Sequence, residues 1–260
     1  MPTIPSGARG AVIIGWGTAL GPRTVTNEDL SKALDTSDEW ITERTGIRER
    51  HVDGVTSELS AEAARKAIAM AGIDPSEIDA LVLSTTTPDR TVPATSSTVQ
   101  QLLGLNCGAF DVNAACSGFV YGLVVAHGLI AMGSRNVLLI GTDCLSKITD
   151  WNDRNTAVLF GDGSGAVVLR AGDGVGELLG WDIDADGSAD VTADQLALVV
   201  PHQANARIIQ AACERLGVPM EKTSTVLHYT GNTSSASIPL ALVDALDHGR
   251  VKPGDLVLLV

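Results

Sequence analysis

A chain of 260 residues is long enough to bury a substantial core as one large domain or two packed halves. Its formal net charge of -13 and pI near 4.6 exclude a general nucleic-acid binder, which needs an excess of Lys and Arg to neutralise phosphates. With 45% hydrophobic residues, 3% aromatics and 27 glycines, the composition suits a globular α/β protein rather than a disordered one.

The chain opens with the apolar run Ala11 to Trp16, which reads as a strand. Helices are expected over Asn27 to Leu34 and over Ser37 to Arg44, the second capped by Thr36 or Ser37 with acidic residues in its first turn. Thr56 to Leu59 leads into an amphipathic helix that Gly72 stops, and Asp79 to Ser84 is a buried strand. A helix over Ser96 to Leu103 precedes a strand over Phe110 to Asn113. That strand runs into Cys116, the apolar helix Phe119 to Met132 and the strand Asn136 to Ile140. The apolar helix is shorter than a membrane span and contains His127 and two glycines, so it reads as a core helix, and no membrane segment is expected.

Part of this pattern repeats. Thr86, at the end of ALVLSTT, lies 30 positions before Cys116, and His202, at the end of LALVVPH, lies 30 positions before Asn232. A helix and then a strand (NVLLI, LVLLV) follow in each case. Two copies of one unit place Cys116 and Asn232 at equivalent turns, and strand-to-helix turns of open α/β sheets favour active sites. Common α/β unit lengths are the alternative explanation of the matching counts. In the second half, GELLGWDIDADGSA runs directly into DVTADQLALVV, with no room for the crossover helix that parallel neighbours need. A missing segment is therefore expected near Ala189 and Asp190, and another after Val260, since the chain stops inside a strand.

Cys116 stands between a strand and a helix N-terminus, where the helix dipole favours a thiolate, and it is flanked by Ala114, Ala115, Ser117 and Gly118. His202 follows an apolar strand directly and is positioned to donate a hydrogen bond or act as a base. Asn232 is a donor candidate or simply a helix cap. Cys107, Cys144 and Cys213 read as structural, and the four cysteines lack metal-ligand spacing, so neither a metal site nor a disulfide framework is expected.

The stretches DVNAACSGFVYG, VVPHQANARI and HYTGNTSSASIPLAL resemble, in this order, the Cys, His and Asn motifs of the β-ketoacyl-acyl carrier protein synthase III family. TSDEWITERTGIRERH and LFGDGSGAVVL are similar to further stretches of it. The resemblance implies a thiolase-like α/β fold, with two pseudo-twofold halves in an α-β-α-β-α layering. The halves are drawn here as residues 1–155, with Cys116, and 156–260, with His202 and Asn232. It implies a decarboxylative condensation. Cys116 takes an acyl group from acyl-CoA, and His202 and Asn232 stabilise the enolate formed from malonyl-acyl carrier protein. The chemistry needs no cofactor, CoA thioester and phosphopantetheine being substrates.

The same resemblance assigns Trp40, Arg44 and Arg154 to CoA, Trp40 and Arg154 as an adenine sandwich. It assigns Gln203, Ala204, Asn205, Ala206 and Arg207 to carrier docking, with Arg215 and Lys222 as extensions, and Val92 to the acyl pocket across a homodimer. A cytoplasmic location fits. The competing readings are acyl transfer to an alcohol or amine, a non-catalytic partner of the same fold, and, less favoured, a thiolase.

Overall fold

The computed structural model describes residues 9–172 and 193–260, so the junction of Ala189 and Asp190 lies outside the described residues. The first half runs β1 (Gly10–Leu20), β2 (Arg23–Thr26), α1 (Asn27–Ser31), α2 (Asp38–Thr45), β3 (Glu49–Val52), α3 (Thr56–Ala71), β4 (Ala80–Ser84), α4 (Thr95–Leu103), β5 (Gly108–Val112), α5 (Gly118–Ala131) and β6 (Asn136–Cys144). The chain continues through α6 (Arg154–Ala157), β7 (Asp162–Gly172), β8 (Leu198–Val200), α7 (Ala206–Leu216), α8 (Leu227–Thr230), α9 (Ser237–Asp247) and β9 (Val257–Leu259).

Five strands form one sheet in the order β1-β7-β6-β4-β5. β4 is parallel to β5 and β6, whereas β7 runs antiparallel to both β6 and β1. All five residues of β4 and all nine of β6 are buried, as expected of strands covered on both faces. The pleat sorts their side chains. Leu138 and Ile140 join Ala63, Ala64, Ala67 and Ile68 of α3 on one face, and Val137 and Leu139 join Phe119 and Ile130 of α5 and Leu240 and Ala241 of α9 on the other. Leu198 and Val200 of β8 pack into that second cluster, so α5 and α9 form a layer between the large sheet and the parallel pair β8–β9. This is the layered arrangement of the expected fold.

Several elements differ from expectation. β1 extends to Leu20 because it pairs along its length with β7. β7 lies beyond the division at 155/156, yet it belongs to the sheet of the first half, which therefore reaches Gly172. α1 ends at Ser31, three residues before the expected Leu34. The antiparallel pair β2–β3, which encloses α1 and α2, was not foreseen. α2 begins at the expected cap: Ser37 Oγ accepts from Trp40 N–H at 3.1 Å.

Arg50 fastens β3 to its surroundings. It is fully buried and donates to Val25 C=O, Asn27 Oδ1 and Val158 C=O, and burial, outweighing the opposing charge of Glu49, pushes its pKa down to about 10. Two glycines allow close approach around the turns, Gly118 within the first half and Gly141 between the halves. A Cβ on Gly118 would lie 1.9 Å from Ser84 Oγ, and one on Gly141 would lie 2.5 Å from the Ser235 carbonyl oxygen, closer than any side chain permits.

Candidate active site

The two halves place matching turns at the starts of α5 and α9. Ala115 and Ser234 share a left-handed φ of 48°, each opens a single 3₁₀ turn (Ala115–Ser117 and Ser234–Ala236), and each is followed by a long helix. Asn113 Oδ1 accepts from Ala115 N–H at 3.3 Å, and Asn232 Oδ1 accepts from Ser234 N–H at 3.0 Å. Asn232 is thus the counterpart of Asn113, and Cys116 the counterpart of Ser235. This corrects the register expected from the matching 30-residue spacings by three positions. Left-handed backbone at a residue with a Cβ costs on the order of 1–3 kcal/mol, and its occurrence in both turns marks them as constrained.

The equivalent turns differ in what binds their backbone. Ser235 N–H donates to Asp143 Oδ2 at 3.0 Å, whereas Cys116 N–H has no hydrogen-bond partner among the described residues. Cys116 is half-buried. The other cysteines are withdrawn from chemistry: burial pushes the Cys144 thiol up to about 12 and raises that of Cys107, and Cys213 is buried with Sγ 3.2 Å from Thr223 Oγ1.

His202 follows β8 at the same end of the molecule. Its N–H donates to Val260 C=O, which extends the β8–β9 pairing as far as the imidazole-bearing residue. Nδ1 lies 2.6 Å from Ser237 Oγ, at the first residue of α9. Ser237 Oγ also accepts from Gln203 N–H at 3.3 Å, and its own hydroxyl proton can be donated to Nδ1, the arrangement in which Nε2 carries the ring proton. Burial lowers the His202 pKa below its ordinary 6.5, which keeps the ring neutral at pH 7.

A pH dependence follows from that direction. Between the lowered folded pKa and 6.5 the unfolded chain binds the proton more readily, so this stabilising contribution is complete above 6.5 and is lost as pH falls through the folded value. Thermal unfolding of the wild type from pH 7.5 to 5 is expected to lose stability that a His202→Ala variant does not lose. Matching slopes in the two proteins would contradict the assignment.

Asn232 is 8% exposed, and its backbone is held on both sides: its N–H donates to Leu159 C=O at 2.9 Å and its C=O accepts from Gly161 N–H at 3.0 Å. With Oδ1 engaged by Ser234, the amide NH2 is the remaining functional end. Contacts between the two 3₁₀ turns, and the bond from His202 to the head of α9, bring Cys116, His202 and Asn232 to neighbouring element ends.

Trp40 carries both of its expected neighbours. The guanidinium carbons of Arg44 and Arg154 lie 4.4 and 4.7 Å from its ring centroid. A base inserted between Trp40 and Arg154 needs about 7 Å, twice a van der Waals spacing, so the sandwich is closed here. Gln203 departs from expectation. It is fully buried, its Nε2 donates to Pro201 C=O and Ser224 C=O, and its Oε1 accepts from Val226 and Leu227 N–H. With its amide spent inside, it cannot meet a carrier. Asn205 caps α7 and donates to Arg44 C=O at 3.0 Å, and Arg207 donates to Glu43 C=O at 3.1 Å, which ties α7 to α2. Val92 is 80% exposed. Sequence reasoning missed Ser237 and Asp143. The latter had a signal, a charged residue inside the buried run NVLLIGTDC.

Models of 3-oxoacyl-[acyl-carrier-protein (ACP)] synthase III and of its C-terminal part match residues 110–187 and 187–260. A β-ketoacyl-[acyl-carrier-protein] synthase III of Erythrobacter litoralis is 45% identical over 301 aligned positions, covering 95% of this chain and 94% of that protein. The chain belongs to the 3-oxoacyl-[acyl-carrier-protein] synthase III family. The synthase III of Aquifex aeolicus superposes with a TM-score of 0.91 at 41% identity, covering 96% of this chain and 95% of that one. The priming β-ketosynthase of the R1128 polyketide pathway does so at 0.88 and 33%, covering 99% and 94%. As a member of the family, the chain is an enzyme of the thiolase-like fold. Among the described residues no cluster of side chains could hold a metal ion, and no helix is long and apolar enough to cross a membrane.

Proposed function

We propose that Cys116 attacks the acyl-CoA thioester, expelling CoA and retaining the acyl group, and that its own N–H donates to the oxyanion formed on the way. Malonyl-carrier then binds. His202 Nε2–H and the Asn232 NH2 donate to its thioester oxygen as carbon dioxide leaves, and the carbanion attacks the acyl-cysteine carbonyl, breaking its C–S bond so that the Cys116 thiolate departs and the β-ketoacyl group stays on the carrier. The contrast between the equivalent turns carries this reading: the Ser235 N–H is capped by Asp143 and the Cys116 N–H is open. A neutral histidine and an amide suit charge stabilisation, since decarboxylation requires no proton to be removed. The acylated enzyme, mixed with malonyl-carrier, is expected to release one carbon dioxide per acyl group consumed. Acyl transfer to an alcohol or amine without carbon dioxide release would replace this reading by its competitor.

Trp40, Arg44 and Arg154 are proposed to take the CoA nucleotide, with Arg154 swinging off the ring to admit the base. A cleft of about 280 Å³, lined by Asp153, Thr156 and Phe160 among others, supports this path, since Asp153 and Thr156 flank Arg154 in sequence and Phe160 pairs with Asn232. For the carrier, the outer side of α7 offers exposed Ala206, Arg207 and Arg215 beside Ile208 at 61% and Leu216 at 50% exposure, with Ala204 and Asn205 leading into it. Lys222 contributes less, because its ammonium donates to Leu196 C=O at 2.8 Å.

A homodimer across β5 is also proposed. β5 is an edge strand, Phe110 on it is 38% exposed, and an exposed edge of this kind invites pairing; Val92 would then reach the partner's acyl pocket. Sedimentation is expected to give a dimer, and Phe110→Asp a monomer; a monomeric wild type at micromolar concentration would rule the dimer out. Four free cysteines suit a reducing cytoplasm. The 301 aligned positions exceed the chain's 260 residues, which supports the expected internal segment that relatives carry and this chain lacks.

A further inference from the structure

Asp143, at the end of β6, is fully buried and has no cation among its partners in the described residues. Its Oδ1 faces the loop after β4, in the half that carries Cys116. Thr86 and Thr87 N–H approach it at 2.7 and 3.1 Å, and the hydroxyls of Thr85, Thr86 and Thr87 at 3.1, 2.9 and 3.1 Å. Its Oδ2 faces the turn that carries Asn232, taking the N–H and hydroxyl of Ser235 at 3.0 and 2.8 Å.

We propose that Asp143 is a positioning residue that sets the placement of the Asn232 amide relative to the Cys116 turn. The inference rests on the reading of Asn232 as a donor to the enolate. One path runs from Oδ2 through Ser235 to Ser234, whose N–H holds Asn232 Oδ1 and so turns the NH2 outward. The other runs from Oδ1 to the loop that continues β4, whose last residue, Ser84, fills the space a Cβ on Gly118 would need. A neutral anchor would serve for one turn. Joining both requires an acceptor on each side, because backbone N–H groups that can only donate face both oxygens. The hydrogen bonds also offset the cost of burying a carboxylate without a cation.

Asp143→Asn tests the clamp, since either orientation of its amide sets an NH2 against an N–H. The full chain and its Asp143→Asn, Ser235→Ala and Asn232→Ala variants are acylated with acetyl-CoA in a single turnover followed by intact mass. Carbon dioxide release from malonyl-carrier is then timed on the acylated proteins. Asp143→Asn is expected to slow carbon dioxide release by roughly 10²-fold, the usual effect of a misplacement of about 1 Å, with far less change in acylation. Ser235→Ala, which keeps the backbone bond, is expected to shift the same ratio by a smaller factor, and it decides the matter if Asp143→Asn does not fold. An unchanged ratio of the two rates in the folded variants, with Asn232→Ala still selective, overturns the clamp alone. A non-selective Asn232→Ala overturns the underlying reading and the clamp with it.

Discussion

Cys116→Ala is expected to give no acyl adduct after mixing with acyl-CoA, whereas the wild type gains the mass of one acyl group. The expectation rests on contrast among the four thiols. Cys144 is buried beneath the helix α3 and its pKa is pushed up to about 12, so almost none of it is thiolate at neutral pH. The Cys107 thiol is raised by burial, and Cys213 is buried against Thr223. Cys116 alone combines partial exposure, the start of a 14-residue helix and an open backbone N–H beside its sulfur. Cys144→Ala and Cys213→Ala should therefore retain the adduct. An adduct of unchanged stoichiometry on Cys116→Ala would assign the nucleophile elsewhere.

How far the sequence disclosed this arrangement depended on how local each cause was. β4 and β6 were legible because both faces are covered and their residues form unbroken apolar runs. β7 was not, because it opens on Asp-Gly-Ser-Gly, a composition that reads as a turn; it becomes a strand by pairing with β1 and β6 on either side. Cys116, His202 and Asn232 were singled out by their motifs as candidates, yet their internal symmetry was misaligned. Equal counts from Thr86 and His202 assumed loops of equal length. The structure aligns the turns by their shared left-handed residues instead. Gln203 shows a different limit, since an amide serves equally well on a rim or as an internal bolt, and only the carbonyls and N–H groups around it decide. Ser237 and Asp143 act across 35 and 92 residues of sequence, to His202 and Ser235, and no local pattern announces such partners.

Asn232→Ala is expected to slow carbon dioxide release from malonyl-carrier by roughly 10²–10³-fold, the usual effect of losing one donor to a developing oxyanion, while acylation of Cys116 changes little. The geometry divides the side chain between two tasks. Oδ1 accepts the Ser234 N–H and so braces a turn held at a φ of 48°, and the NH2 is left for substrate. Alanine removes both functions, so a second substitution is needed to tell them apart. Asn232→Asp keeps an oxygen for Ser234 and deletes the donor, replacing it with an acceptor that would oppose an enolate. If the amide donates to substrate, Asn232→Asp should be at least as slow in carbon dioxide release as Asn232→Ala, with its thermal stability closer to the wild type. If Asn232 only caps the turn, Asn232→Asp should restore carbon dioxide release, and Asn232→Ala should lose both half-reactions in equal measure as the turn that faces Cys116 relaxes. The two half-reactions, measured on the two variants, thus separate a donor from a brace.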